Sequence, residues 1–216
     1  MLFRPTNTGK VTENIYAVRS FIGNFYVFSA KESLIVFDTG MSAALARSGM
    51  KKLELDPLSV HHVFLTHSDF DHVGGLKVFE NAQVYLSEKE EPMVVGKRAR
   101  MLVVYNKRLK NYKTLEDGQK VSVDGHEIKI ISTPGHTLGS ACYLIDEEIL
   151  IAGDTLRISA DGKFTPFLFI QNMNHSENKR SFSKLENEGI IDRVKLVLTG
   201  HTGYATPQLS ASKQDC

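Results

Sequence analysis

Short apolar runs, broken by turn residues, alternate with a few longer amphipathic stretches along the chain. In the first third, residues 14–19, 25–29 and 34–37 read as strands, with a turn around 22–24. Residues 42–55 carry helix-compatible spacing at Leu45, Met50 and Leu53, and Pro57 stops the pattern. Residues 62–66 read as a buried strand, 73–79 as a short helix and 83–86 as another strand. After the Asp117-Gly118 turn, residues 121–123, 128–131, 141–145 and 149–152 follow at hairpin spacing. Residues 176–189 read as a helix closed by Gly189, and 196–199 as a last strand. Strands in blocks with helices between them predict a layered α/β architecture. No repeat, low-complexity tract or Pro/Gly-rich linker divides the 216 residues, so one domain over 1–216 with one substantial core is expected.

Composition narrows the partners. A net charge of +1 gives no global attraction to nucleic acid or an anionic membrane, so any basic partner surface must be local. Cys142 sits in the apolar run ACYLI and Cys216 is the last residue. That arrangement does not suit a disulfide framework, and a reducing compartment, the cytoplasm, fits best. The opening MLFRPTNTGK does not read as a signal peptide, and every apolar run is far shorter than the roughly 20 residues that span a bilayer.

Candidate chemistry sits at strand ends. FDTG follows LIV, THSDFDH follows HHVFL, TPGHT follows IKII, GDT follows ILIA and TGH follows KLVL. Rigid strand ends let side chains from distant parts of a sequence meet in one place. His67, Asp69, Asp71 and His72 are candidate metal ligands; strand alternation puts the first three on one side, and a turn at Gly74-Gly75 lets His72 swing in. The same cluster also reads as a polar loop in which Ser68 or Asp71 caps the following helix. His136, Asp154 and His201 are each ordinary turn residues when taken singly. The weight lies in the combination of His and Asp types suited to divalent metals, all at strand ends.

The order HxDxDH-GG, TPGHTxGS, GDT, TGH, with FDTG upstream, resembles the metallo-β-lactamase superfamily over most of the chain. That resemblance implies a four-layer αββα sandwich with two divalent metal ions in a cleft at one edge of the sheets. It implies that His67, Asp69 and His136 hold the first ion, that Asp71, His72 and His201 hold the second, and that Asp154 bridges them. Zinc is the metal implied, with Asp71 also orienting the attacking hydroxide and Asp38 in a supporting part. The expected activity is a metal-bridging hydroxide acting on a small ester, thioester or lactone. His61, His62, His126 and His175 match no motif.

The chain departs from the family pattern at Asp69, where most relatives carry His. With two divalent ions and one hydroxide, this Asp makes the cage formally neutral, one charge less positive than His would. The expectation is a harder first site that favours iron or manganese over zinc, or is only partly filled. An acidic residue here also keeps open two alternatives, a diiron oxygen-binding or redox protein and a metal-dependent nuclease or phosphodiesterase.

Two segments address the substrate. Lys97, Arg98, Arg100, Lys107, Arg108, Lys110 and Lys113 fall in 92–114 without an Asp or Glu. They read as a solvated helical face or as a cationic rim for an anionic small-molecule substrate, with nucleic acid the lesser alternative. The run FTPFLFI at 164–170 reads equally as an apolar cleft wall or as a homodimer interface. Arg157 is expected to be an ordinary surface residue.

Overall fold

The computed structural model describes residues 3–207, so Cys216 lies outside the described residues. One sheet contains, in spatial order, β1 (Gly9–Lys10), β2 (Ile15–Ser20), β3 (Gly23–Ser29), β4 (Leu34–Phe37), β5 (Val60–Phe64), β6 (Gln83–Ser87) and β7 (Tyr112–Leu115). Neighbours up to β4 pair antiparallel, and β4 to β7 pair parallel. Next come β8 (Lys120–Val123), β9 (His126–Ser132), β10 (Ala141–Ile145), β11 (Ile149–Gly153), the separate hairpin β12 (Leu156–Ile158) and β13 (Phe164–Pro166), then β14 (Leu196–Thr199) and β15 (Gly203–Ala205). The second sheet has the order β15-β14-β11-β10-β9-β8, with β11 and β14 parallel. The helices are α1 (Ala43–Lys52), α2 (Phe70–Val73), α3 (Glu91–Val94), α4 (His175–Asn187) and α5 (Ile190–Arg193).

Side-chain alternation builds the layers. On β2, Ile15 and Ala17 face the second sheet, where they join Tyr143, Ile145, Ile151 and Leu198 in the central core. The intervening Val18 faces outward with Phe25, Val27 and Val63 against Ala46 and Met50 of α1. On β10, Tyr143 and Ile145 point inward while Cys142 and Leu144 meet Phe182 and Leu185 of α4 and Ile190 of α5. Both faces of each sheet are therefore covered, which is why the strands read as nearly continuous apolar runs. The order of layers is helix, sheet, sheet, helix, the αββα sandwich. No helix among the described residues is long and apolar enough to cross a membrane.

Three segments differ from the sequence reading. The helix expected over 73–79 is α2 followed by a 3-10 turn at Leu76–Val78, interrupted at Gly74-Gly75, where an added Cβ would strike Met41 O or Thr39 O. Most of 92–114 is not helical: after α3 the chain turns at Gly96 (φ 78°) and runs irregularly into β7. FTPFLFI divides, with 164–166 in β13, Phe167 buried, and Phe169 and Ile170 exposed.

The strand ends on the site side are pinned to each other. The Tyr143 hydroxyl donates to Leu65 O at 2.8 Å, and Ala141 N donates to Thr66 O at 2.9 Å, joining the two sheets beside His67.

Candidate metal centre

His67 follows β5 and Thr66, while Asp71 and His72 lie on α2, whose first turn opens at Asp69. The extended segment thus ends before Asp71, and a helical turn rather than strand alternation brings Asp71 and His72 round. His136 lies on the β9–β10 loop, Asp154 follows β11, and His201 follows β14. The fold brings all seven sequence candidates to one edge of the sandwich. Two groups of donors form there, with ligand atoms within 4.8 Å of one another: His67, His136 and Asp154, and Asp71, His72 and His201. Asp154 Oδ2 lies between them, 3.1 Å from His201 Nε2, 3.4 Å from His136 Nε2 and 3.6 Å from His72 Nε2.

Each histidine is held by its outer nitrogen. His72 Nδ1 donates to Asp38 Oδ2 (2.8 Å), His201 Nδ1 to Ile22 O (3.0 Å) and His136 Nδ1 to Asn172 Oδ1 (3.1 Å). The Thr66 hydroxyl gives its proton to Asp38 Oδ2 at 2.8 Å, so its oxygen accepts from His67 Nδ1 at 3.0 Å. The proton on Nδ1 leaves each Nε2 lone pair facing the centre, as outer hydrogen bonds do for metal-binding histidines. Asp38 serves both His67, through Thr66, and His72.

Electrostatics mark the cluster as cation-seeking. Burial opposes charge on Asp154, yet His201 and His72 hold its carboxyl well below the usual range. Burial lowers His72 and His201, but the facing carboxylates, Asp38 and Asp154 foremost, leave both raised. His67 is lowered by burial and by His72. The buried atoms His67 Nε2 and Asp154 Oδ1 have no hydrogen-bond partner. Buried polar atoms are rarely left so, and an unpaired imidazole nitrogen grouped with His136 and Asp154 suits a divalent cation. The residues present fit such a group.

Asp69 Oδ2 lies 3.3 Å from His136 Nε2 and 3.6 Å from His67 Nε2, and protein donors also hold this carboxylate. Arg100 Nε donates to both its oxygens at 2.8 Å, and Asn106 Nδ2 donates to Oδ1 at 3.0 Å. Burial alone would raise this carboxyl; His136, His67 and Arg100 hold it far below the usual range.

Several contributors carry no motif. Arg100 and Asn106 lie in the basic segment, where nothing distinguishes Arg100 from Arg98. Glu90, fully buried, accepts from Ser68 N and Oγ, Thr137 Oγ1 and Gly139 N, tying the His67 loop to the His136 loop. Phe167 packs its ring 5.0 Å from His136 and 5.6 Å from His201, so this part of FTPFLFI does wall the centre. An open cavity of about 630 Å³, lined by Lys97, Arg98, Arg100, Leu102, Tyr105 and Asn172 among others, adjoins the centre. Arg100 and Asn172 join it to His136. His126 pairs with Asp146 and His62 stacks on Tyr85, both away from the site. Arg157 is half-buried with Nε unpaired, so it is not the exposed residue expected.

The family model described as "Metallo-beta-lactamase superfamily" matches residues 18–201. Among curated relatives, "Probable polyketide biosynthesis zinc-dependent hydrolase PksB" of Bacillus subtilis (strain 168) is 35% identical over 57% of this chain and 50% of its own. The hydroxyacylglutathione hydrolase of Klebsiella pneumoniae is 32% identical over 66% of this chain and 51% of its own. The chain thus spans about half the length of these relatives. The subclass B3 metallo-beta-lactamase BJP-1 of Bradyrhizobium japonicum shares the fold, with a TM-score of 0.70, 19% identity, and coverage of 93% of this chain and 80% of that one.

Proposed function

The chain belongs to the metallo-beta-lactamase superfamily, and on that premise we propose that it is a metal-dependent hydrolase of a small ester, thioester or lactone. The observation that carries the reading is the pair of three-donor groups, with Asp154 Oδ2 between them and His67 Nε2 buried and unpaired. His67, His136 and Asp154 would hold a first divalent ion, and Asp71, His72 and His201 a second, with Asp154 shared. The relatives named as zinc-dependent or hydroxyacylglutathione hydrolases favour zinc and an acyl substrate. When bound, such ions supply Lewis acidity and lower the pKa of a water towards neutrality.

The chain's own residues do the rest. Asp71, half-buried with Oδ2 3.4 Å from His201 Nε2, would orient the attacking hydroxide as well as help hold the second ion. Phe167 excludes bulk water from the side of His136 and His201. Lys97, Arg98 and Arg100 give the adjoining cavity a cationic wall beside the apolar Leu102 and Tyr105, which suits an acyl group bearing an anionic end. Its volume fits a small molecule. The diiron alternative drew on an acidic residue at 69, and here that residue is paired with Arg100.

The test is elemental analysis of the chain loaded with excess zinc, with an ester, thioester and lactone panel. We expect about two zinc ions per chain, hydrolysis abolished by a chelator and restored by zinc, and both lost in Asp154→Asn. Normal metal content and turnover in Asp154→Asn would overturn the reading.

A further inference from the structure

Asp69 is tied to protein donors on both oxygens, while its Oδ2 also lies 3.3 Å from His136 Nε2 and 3.6 Å from His67 Nε2. Arg100 Nε bridges both its oxygens and Asn106 occupies Oδ1 again. Both partners come from residues 96–110, a stretch whose one regular feature is an isolated bridge between Met101 and Val104. The same guanidinium reaches further into the centre: Nη2 donates to Gln171 O at 2.7 Å and lies 3.3 Å from His136 Nε2. A guanidinium has no acceptor atom and stays charged. Its approach to His136 Nε2 therefore engages the lone pair that an ion in the first group would need. The Arg100 side chain is only 10% exposed, so its charge is sheltered from water and its pairing with Asp69 is stronger than a surface pair. Among the described residues, no Lys or Arg forms an ion pair or side-chain hydrogen bond with Asp71, His72 or His201.

We propose that Asp69 anchors the 96–110 segment through Arg100 and Asn106, and that the Arg100 guanidinium competes with the ion of the first group for His136. The two positions then fill in order. Asp71, His72 and His201 with Asp154 load first, and His67, His136 and Asp154 load second, at a higher metal concentration. This rests on the metallohydrolase reading and adds to it an inequality between the two positions that the motif does not contain. Withdrawal of Arg100 to a substrate anion in the adjoining cavity would relieve the competition, so the inequality belongs to the substrate-free protein.

Calorimetric titration of the chelator-stripped full chain with zinc tests this. The wild type should show two dissociation constants at least ~10-fold apart. Arg100→Met should tighten the weaker one at least ~5-fold and leave the tighter one unchanged. His67→Ala should abolish the weaker event alone. Arg100→Gln serves as a second variant, and thermal melting checks that each variant is folded. Two equal constants in the wild type, or a weaker event that Arg100→Met and Arg100→Gln leave unchanged or weaken, overturns the inference while leaving the metallohydrolase reading intact. Absence of zinc binding at both positions overturns both.

Discussion

Replacing Glu90 should loosen the site without touching any donor. The carboxylate is fully buried and surrounded by donors: Ser68 N at 2.9 Å and Ser68 Oγ at 2.5 Å on Oε1, Thr137 Oγ1 at 2.8 Å and Gly139 N at 2.9 Å on Oε2. Burial, the largest influence, pushes this carboxyl up, and the four donors pull it back. Glu90→Gln keeps the shape but must aim an NH₂ at one of the two donor pairs. The Thr137 side is the less costly choice, because its hydroxyl can turn to Ser140 Oγ, 2.8 Å away, and become an acceptor. Gly139 N is then orphaned, at about 1–3 kcal/mol, and the bonds on the other oxygen lose their charge assistance, about 1 kcal/mol more. The expected loss for Glu90→Gln is about 2–4 kcal/mol. Glu90→Ala orphans Ser68 N as well and leaves a cavity, so it should cost about 1–2 kcal/mol beyond Gln. Urea denaturation in the presence of a chelator reads the stability free of metal effects, with an unchanged m-value expected. A loss below about 0.5 kcal/mol for Glu90→Gln would refute the claim that this carboxylate staples the His67 and His136 loops.

Asp38→Asn should lower zinc affinity by about 10–100-fold with the fold retained, because its NH₂ would face a donor either way round, Thr66 N on one side or Thr66 Oγ1 and His72 Nδ1 on the other; an unchanged titration would remove Asp38 from its supporting part. Gly200→Ala should displace Asp154 and reduce bound zinc, since the new Cβ would stand 2.2 Å from Asp154 Oδ1 and 3.0 Å from His72 Cε1. That strain corresponds to about 1–3 kcal/mol, and full zinc content by elemental analysis would contradict it.

The strands were legible because each sheet is covered on both faces, so β4, β10 and β14 stand out as unbroken apolar runs at the bounds the pattern predicts. The positions of the seven motif residues were legible for the same reason: each follows or opens an element whose end the sequence marks. What escaped the sequence is held by contacts across long separations. Arg100 reaches back 31 residues to Asp69 and Glu90 forward 49 residues to Gly139, each from a charged run whose neighbours look alike. Periodicity carries no information about which charge in such a run turns inward. The helical face expected over 92–114 failed because Gly96 takes a positive φ and the residues beyond it, Met101 to Tyr105, are exposed, leaving no apolar stripe to bury.

Position 69 shows how one missed contact redirects a chemical argument. Read alone, Asp in place of His subtracts a charge from the centre, and a less positive cage acidifies its water less and suits harder metals. Arg100 at 2.8 Å from both oxygens returns that charge, so the Asp69–Arg100 pair carries the same net charge as a neutral imidazole. Counted with Arg100, net charge alone does not separate iron or manganese from zinc. What remains of the substitution is a difference in affinity: a neutral histidine would present a lone pair to the first ion, whereas the ion pair brings a buried cation close to it. On the loading order proposed above, the consequence falls on occupancy of the first position.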